Sequence, residues 1–162
     1  MKLEEADIAE KRVFIRADLN VPMQDGQISN DARIRASLPT ISKVLEKNCA
    51  VTVLSHLGRP EEGKFDEAFS LAPIAQRLSE LLSFPVILLK DIEQSKTLSK
   101  GQIGLMENVR FFAGEKGNSD ELGRRMAACC DVFIMDAFGS AHRAHASTNS
   151  IAKHVEVVVP GF

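Results

Sequence analysis

The sequence predicts an α/β fold, a parallel sheet with helices on both faces in a single domain, and three observations carry that prediction. Short apolar runs of strand character alternate along the chain with segments whose apolar residues recur every three or four positions, the mark of repeated strand–helix units. The run Ala50 to Leu54 is near-continuously apolar, as a strand covered on both faces must be. With 162 residues, 44% of them hydrophobic and 26% charged, the chain is long enough for one core; a domain of this size buries roughly 70% of its extended surface without metals or disulfides.

In order along the chain, Val13 to Ala17 reads as a strand that runs into a loop at Asp18, Asn20 and Pro22. Gln24 to Asn30 contains an Asp-Gly turn signal. From Asp31 to Asn48 the residues Ile34, Leu38, Ile41, Val44 and Leu45 have helical spacing, with Pro39 predicting a kink or a second start. After the strand Ala50 to Leu54 come SHLGRP, a charged loop from Gly58 to Phe69, and a helix from near Ser70 with the stripe Leu71, Ile74, Ala75, Leu78, Leu81 and Leu82. Pro85 to Leu89 is the next strand, Asp91 to Ser99 a short helix, and Ile103 to Met106 a further strand leading to Glu107, Asn108 and Arg110. Asn118, with Glu121 three residues on, has capping-box spacing for a helix from Ser119 to Cys130, which feeds a last strand, Val132 to Asp136.

Composition excludes several classes of function. A net charge of −2 does not supply the basic stripe that nucleic-acid binding needs. No apolar run approaches the roughly 20 residues that span a bilayer, and the charged start MKLEEADIAEKR is unlike a signal peptide, so a cytoplasmic protein is expected. Cys49, Cys129 and Cys130 lack zinc-site spacing and read as reduced, buried thiols. No GxxxxGK[ST] and no GxGxxG occurs, so no nucleotide fingerprint is present.

In parallel sheets ligands sit at the carboxyl ends of the strands. Four such ends carry polar clusters: Asp18 and Asn20; Ser55, His56 and Arg59; Asn108 and Arg110; Asp136, His142 and Arg143. Adding Arg16 and Arg33, five arginines and two histidines face three acids, Asp18, Glu107 and Asp136. Guanidinium keeps its proton and offers a planar fork to phosphate or carboxylate. Converging arginines repel one another unless a multiply charged anion lies between them, so the expected ligand is a small polyanion, with a phosphorylated carboxylate the favoured case. Plainer roles compete. A lone arginine after a strand is usually a surface group, Asp18 and Asp136 fit structural as well as acid roles, and His142 and His145 have the spacing of a weak metal motif.

With these residues in place, the sequence resembles the N-terminal domain of the phosphoglycerate kinase family through RADLNVP, DARIRASLPTI, SHLGRP, SLAPIA, LMENVRF and DAFGSAHRAH, in the family's order. The resemblance implies a two-domain enzyme of glycolysis, monomeric when intact, whose N-terminal half, a Rossmann-like parallel sheet with helices on both faces, binds 3-phosphoglycerate or 1,3-bisphosphoglycerate and whose C-terminal half binds Mg-ATP or Mg-ADP. Carried over by position, it implies substrate contacts at Arg16, Asp18, Asn20, Arg33, His56, Arg59, Arg110, His142 and Arg143, with Arg33 stabilising the migrating phosphoryl group. Residues 1–162 would be the substrate-binding domain, without turnover alone, its partner being its own C-terminal domain beyond VVVPGF. Ala146 departs from the family's usual serine. Two other classes are open at this level: a stand-alone phosphate-binding or receiver-like module using Asp18 and Asp136, and a metal hydrolase using His56, His142 and His145.

Overall fold

A computed structural model describes residues 1–141 and 143–162. Among them, six strands form one parallel sheet: β1 (Arg12–Arg16), β4 (Ala50–Leu54), β5 (Val86–Leu89), β6 (Ile103–Met106), β7 (Val132–Met135) and β8 (Val157–Pro160), in the order β5-β6-β4-β1-β7-β8. β2 (Met23–Gln24) and β3 (Gln27–Ile28) make a separate hairpin. Its turn, Asp25 and Gly26, has φ of 53° and 75°, the doubly left-handed geometry that suits an Asp-Gly pair.

Alternation along the strands separates two cores. Val13 and Ile15 of β1, Val51 and Val53 of β4, Ile103 and Leu105 of β6 and Val132 and Ile134 of β7 pack with α1 (Ala32–Glu46) and α2 (Ala72–Leu82). Phe14, Leu54, Met106 and Phe133 point the other way, onto α3 (Asp120–Ala127), α4 (Ile151–His154) and the 3-10 helix Ile92–Thr97. The strands are therefore covered on both sides, which is why Ala50–Leu54 carries no exposed face.

The structure departs from the expected elements in physically instructive ways. α1 runs through Pro39 as one helix: the proline is exposed, and so is Arg35, whose carbonyl loses its usual partner where water can replace it. The helix expected at Asp91 to Ser99 is 3-10, opened by a reciprocal cap between Asp91 and Gln94. α3 is capped by Ser119, whose hydroxyl accepts from Leu122 N at 3.2 Å, and not by Asn118. The Asn118 side chain instead donates to Asn149 Oδ1 at 2.9 Å and accepts from Ser150 N at 3.0 Å. α3 ends at Ala127, because Cys129 N and Cys130 N turn back to Met126 O and Ala127 O.

The π-helical turn Ala146–Ser150, α4 and β8 have no counterpart in the sequence prediction. That turn lies so close to α3 that a Cβ on Gly123 would meet Ser150 Cβ at 2.5 Å. A glycine in mid-helix, normally a cost, is what lets the two elements touch.

Candidate anion-binding site

β6, β4, β1 and β7 are consecutive neighbours, so the four strand ends that carry polar clusters open onto one edge. The chain leaves β1 toward β4 and leaves β7 toward β8, in opposite directions across the sheet. Their carboxyl ends flank a topological switch point, where α/β sheets form crevices. The crevice here is a cavity of about 290 Å³ lined by Asp18, Asn20, Arg33, His56, Gly58, Arg59, Arg110, Gly139, Ser140 and Arg143.

Each wall is held by its own bonds. Past β1, Asn20 N turns back to Asp18 Oδ1 at 3.2 Å, and Asn20 Oδ1 accepts from Gly58 N at 3.0 Å. Past β4, Ser55 Oγ accepts from Leu19 N at 2.9 Å, tying the first two walls together. Gly58 has φ of 60°, and a Cβ there would lie 2.6 Å from the Phe69 ring. Only glycine fits both the turn and the space.

Past β6, Asn108 Oδ1 accepts from Arg110 N, while its amide donates to Leu57 O at 2.7 Å and Phe69 O at 3.0 Å. The Arg110 guanidinium then donates to Gly58 O at 2.5 Å, and its buried Nε has no protein partner among the described residues.

Arg33, on α1, reaches in from the side: its Nη1 donates to Asn20 O at 2.6 Å and lies 3.5 Å from Asp18 Oδ1. Arg59 and Arg143 project from loops and are exposed. The backbone past β7 turns at Phe138–Ser140, where Arg143 N donates to Ser140 O at 3.0 Å. His142 lies outside the described residues.

Arg16 is not part of the lining. It is 0% exposed and packed behind the wall. Its Nε donates to Ser147 Oγ at 3.0 Å, its Nη1 to Ala17 O at 2.7 Å and its Nη2 meets His56 Nδ1 at 3.0 Å. Burial, partly offset by Glu115 and Asp18, lowers its pKa to about 10, which leaves it charged at neutral pH. A guanidinium has only donors, so His56 Nδ1 is the acceptor and the ring proton sits on Nε2. Burial first, then the charges of Arg16, Arg110 and Arg143, push His56 down to about 3, so the ring is neutral.

Two acids expected at this edge serve elsewhere. Glu107 accepts from Ser70 Oγ at 2.6 Å and from Leu71 N at 2.7 Å, so its charge sits at the positive N-terminal end of α2 and not in the cavity. Asp136 accepts from Thr40 Oγ1 at 3.1 Å, and burial raises it to about 6. It lines a neighbouring cavity of about 230 Å³ with Asp18, Arg33, Ala36, Ser37, Phe138 and Phe162. Glu115 and Ser147, which the sequence reading passes over, are both fully buried next to Arg16. Glu115 falls in a polar loop, FFAGEKGN, and its partner is 32 residues away, so no local pattern marks it.

Among the described residues no group of three His, Cys, Asp or Glu side chains could hold a metal ion. The Asp18 and Asp136 carboxylates thus have no third acid beside them, as a receiver-like magnesium site would need. No helix among the described residues is long and apolar enough to cross a membrane. What remains is a cavity with four arginines, one neutral histidine and one carboxylate in its lining, arranged for a small polyanion.

The family pattern described as phosphoglycerate kinase matches residues 3–162. The chain belongs to the phosphoglycerate kinase family. It is 56% identical over 160 residues to the phosphoglycerate kinase of Desulfovibrio desulfuricans and 51% identical over 161 residues to that of Legionella pneumophila, covering 99% of this chain and 41% of each relative. Among solved structures, the phosphoglycerate kinase of Coxiella burnetii superposes with a TM-score of 0.93 at 49% identity, over 99% of this chain and 41% of that one. The Pyrococcus horikoshii phosphoglycerate kinase gives 0.88 at 34% identity, over 100% and 42%. The chain thus spans about two fifths of the length of these phosphoglycerate kinases.

Proposed function

We propose that this chain is the substrate-binding half of a phosphoglycerate kinase, holding 3-phosphoglycerate or 1,3-bisphosphoglycerate while phosphoryl transfer runs reversibly to or from a nucleotide. The observation that carries the reading is the cavity: Arg33, Arg59, Arg110 and Arg143 line it in a chain whose net charge is −2. Arg59, Arg110 and Arg143 take the substrate's phosphate, with His56 donating from Nε2. Asp18 and Asn20 face the glycerate hydroxyl and carboxylate, and Arg33 reaches the migrating phosphoryl group.

That set suits the chemistry. Phosphoryl transfer leaves the protein mostly positioning and charge stabilisation to do, so fixed guanidinium groups are the appropriate tools. In the ATP-consuming direction the attacking group is a carboxylate, already ionised at neutral pH, so no general base is required. Mg-ATP or Mg-ADP supplies or accepts the phosphoryl group. The chain spans about two fifths of the length of the phosphoglycerate kinases it matches, and in this reading the nucleotide belongs to a second domain and the chain alone has no turnover.

Two measurements test this. Calorimetric titration with 3-phosphoglycerate at low salt is expected to give saturable binding, weakening as salt rises; absence of both heat and amide chemical-shift changes would refute it. A coupled assay on the purified chain is expected to show no ATP consumption, and measurable turnover would overturn the assignment of the nucleotide to a second domain.

A further inference from the structure

Behind the cavity runs a line of buried polar groups that the contacts assigned above do not use. Glu115 is 0% exposed and accepts twice from one residue, Ser147 N at 2.8 Å and Ser147 Oγ at 2.6 Å. Its main-chain oxygen accepts from Ala146 N at 2.9 Å, so the loop carrying Glu115 and the π-helical turn are clamped at two levels. A hydroxyl has one proton, and Ser147 gives it to Glu115, which leaves its lone pairs for Arg16 Nε at 3.0 Å. The line therefore has a direction: Arg16 donates to Ser147, and Ser147 donates to Glu115.

Burial pushes the Glu115 carboxyl up, while the Ser147 hydroxyl and amide and the charges of Arg16 and Arg110 pull it down. As an anion it is a counter-charge to Arg16 inside the protein. With Nε and Nη1 of Arg16 both bonded, the plane of the guanidinium is set, and Nη2 is aimed at His56 Nδ1. The far nitrogen of the ring is then the one left to a ligand in the cavity that His56 lines.

We propose that Glu115 and Ser147 are positioning residues: they hold Arg16 in the orientation that occupies His56 Nδ1, and so present the His56 Nε2–H to the phosphorylated acid. The inference rests on the anion-binding reading above. It explains why a protein would bury an arginine, a serine and a glutamate behind a wall already rich in cations. Arg110, Arg143 and His145 lie near enough to repel a proton on His56, and Arg16 takes the only other site for one.

The test is the tautomer of His56, read from long-range proton–nitrogen spectra of the full chain, which has only four histidines, with His56→Gln assigning the signal. The wild type is expected to carry its proton on Nε2 at every pH from about 8 to 5, below the ordinary histidine range. Ser147→Ala is expected to give a mixture of tautomers and a dissociation constant for 3-phosphoglycerate about tenfold higher, as for loss of a charge-assisted hydrogen bond; Ser147→Thr restores both.

A wild-type proton on Nδ1, or a cationic ring in that range, overturns the inference without any variant. So does Ser147→Ala with the wild-type tautomer. Should Ser147→Ala fail to fold, Glu115→Gln carries the same readout. A wild type that ignores 3-phosphoglycerate while the Ser147→Ala tautomer shifts sinks the substrate reading alone; intact binding with an unmoved tautomer sinks the positioning alone.

Discussion

Arg110 and Arg33 line the same cavity under opposite conditions. Arg110 is 7% exposed, bonded to Gly58 O and lowered in pKa by burial and by Arg143, whereas the Arg33 side chain is 54% exposed and rests on Asn20 O and Asp18. The first is held by burial before any ligand arrives; the second is screened by solvent, and water can replace the contacts that hold it. The difference teaches that the cavity has an inner half preorganised by the fold and an outer half that a ligand would have to organise. Charges in the inner half act through a lower effective dielectric and are correspondingly stronger.

The comparison breaks most severely at Arg16, behind the inner half. Arg16→Met strips Glu115 of its buried counter-charge and is expected to lower unfolding free energy by about 3–5 kcal/mol in urea titrations. Adding Glu115→Gln recovers part of that loss.

Within the cavity the two halves separate in binding. Arg110→Met is expected to cost about 2–5 kcal/mol of affinity for 3-phosphoglycerate, as loss of a buried charge does. Arg59→Met, from the exposed side, is expected to cost about 1 kcal/mol or less, as exposed charges do. Calorimetry at two salt concentrations sharpens the contrast, because only the Arg59 contribution fades strongly with salt. Equal losses at both positions would erase the distinction.

A further contrast is in pH. The folded pKa of His56, about 3, lies below the ordinary 6.5, so the unfolded chain binds the extra proton in that window. Its contribution is full above 6.5 and is lost as pH falls toward 3. Asp136 has the opposite sign: raised from 3.8 to about 6, its contribution is full at the acid end and is lost as pH rises through 6. In denaturation curves between pH 4 and 6, Asp136→Asn is therefore expected to steepen the gain of stability with rising pH, and His56→Gln to flatten it.

Much of this arrangement was legible from residue order. The apolar runs that become β1, β4, β6 and β7 are each followed within a few residues by arginine, asparagine, histidine or aspartate, and parallel packing puts those followers on one edge. Depth was not legible. Arg16 ends a strand as a surface arginine does, and its buried partner Ser147 is 131 residues away. Glu107 looked like a counter-charge for the cavity, yet the start of α2 lies nearer and takes it. Asn118 and Ser119 are adjacent cap candidates, and the choice falls to Ser119 because the π-helical turn claims the Asn118 amide. Such competitions are decided by three-dimensional neighbours that no local window contains.

The order of the strands has a consequence for how the chain acquires its site. The cavity is assembled from residues 18, 20, 33, 56, 58, 59, 110, 139, 140 and 143, and the step from β6 to β7 passes over β4 and β1. The walls are spread from Asp18 to Arg143, so a partly folded chain that has not yet seated β7 beside β1 has no complete pocket. An anion that needs every wall recognises only the finished sheet and stabilises that state by mass action. Any ligand of that kind is in this sense a late folding partner, able to withdraw completed molecules from the equilibrium with species whose sheet is still open.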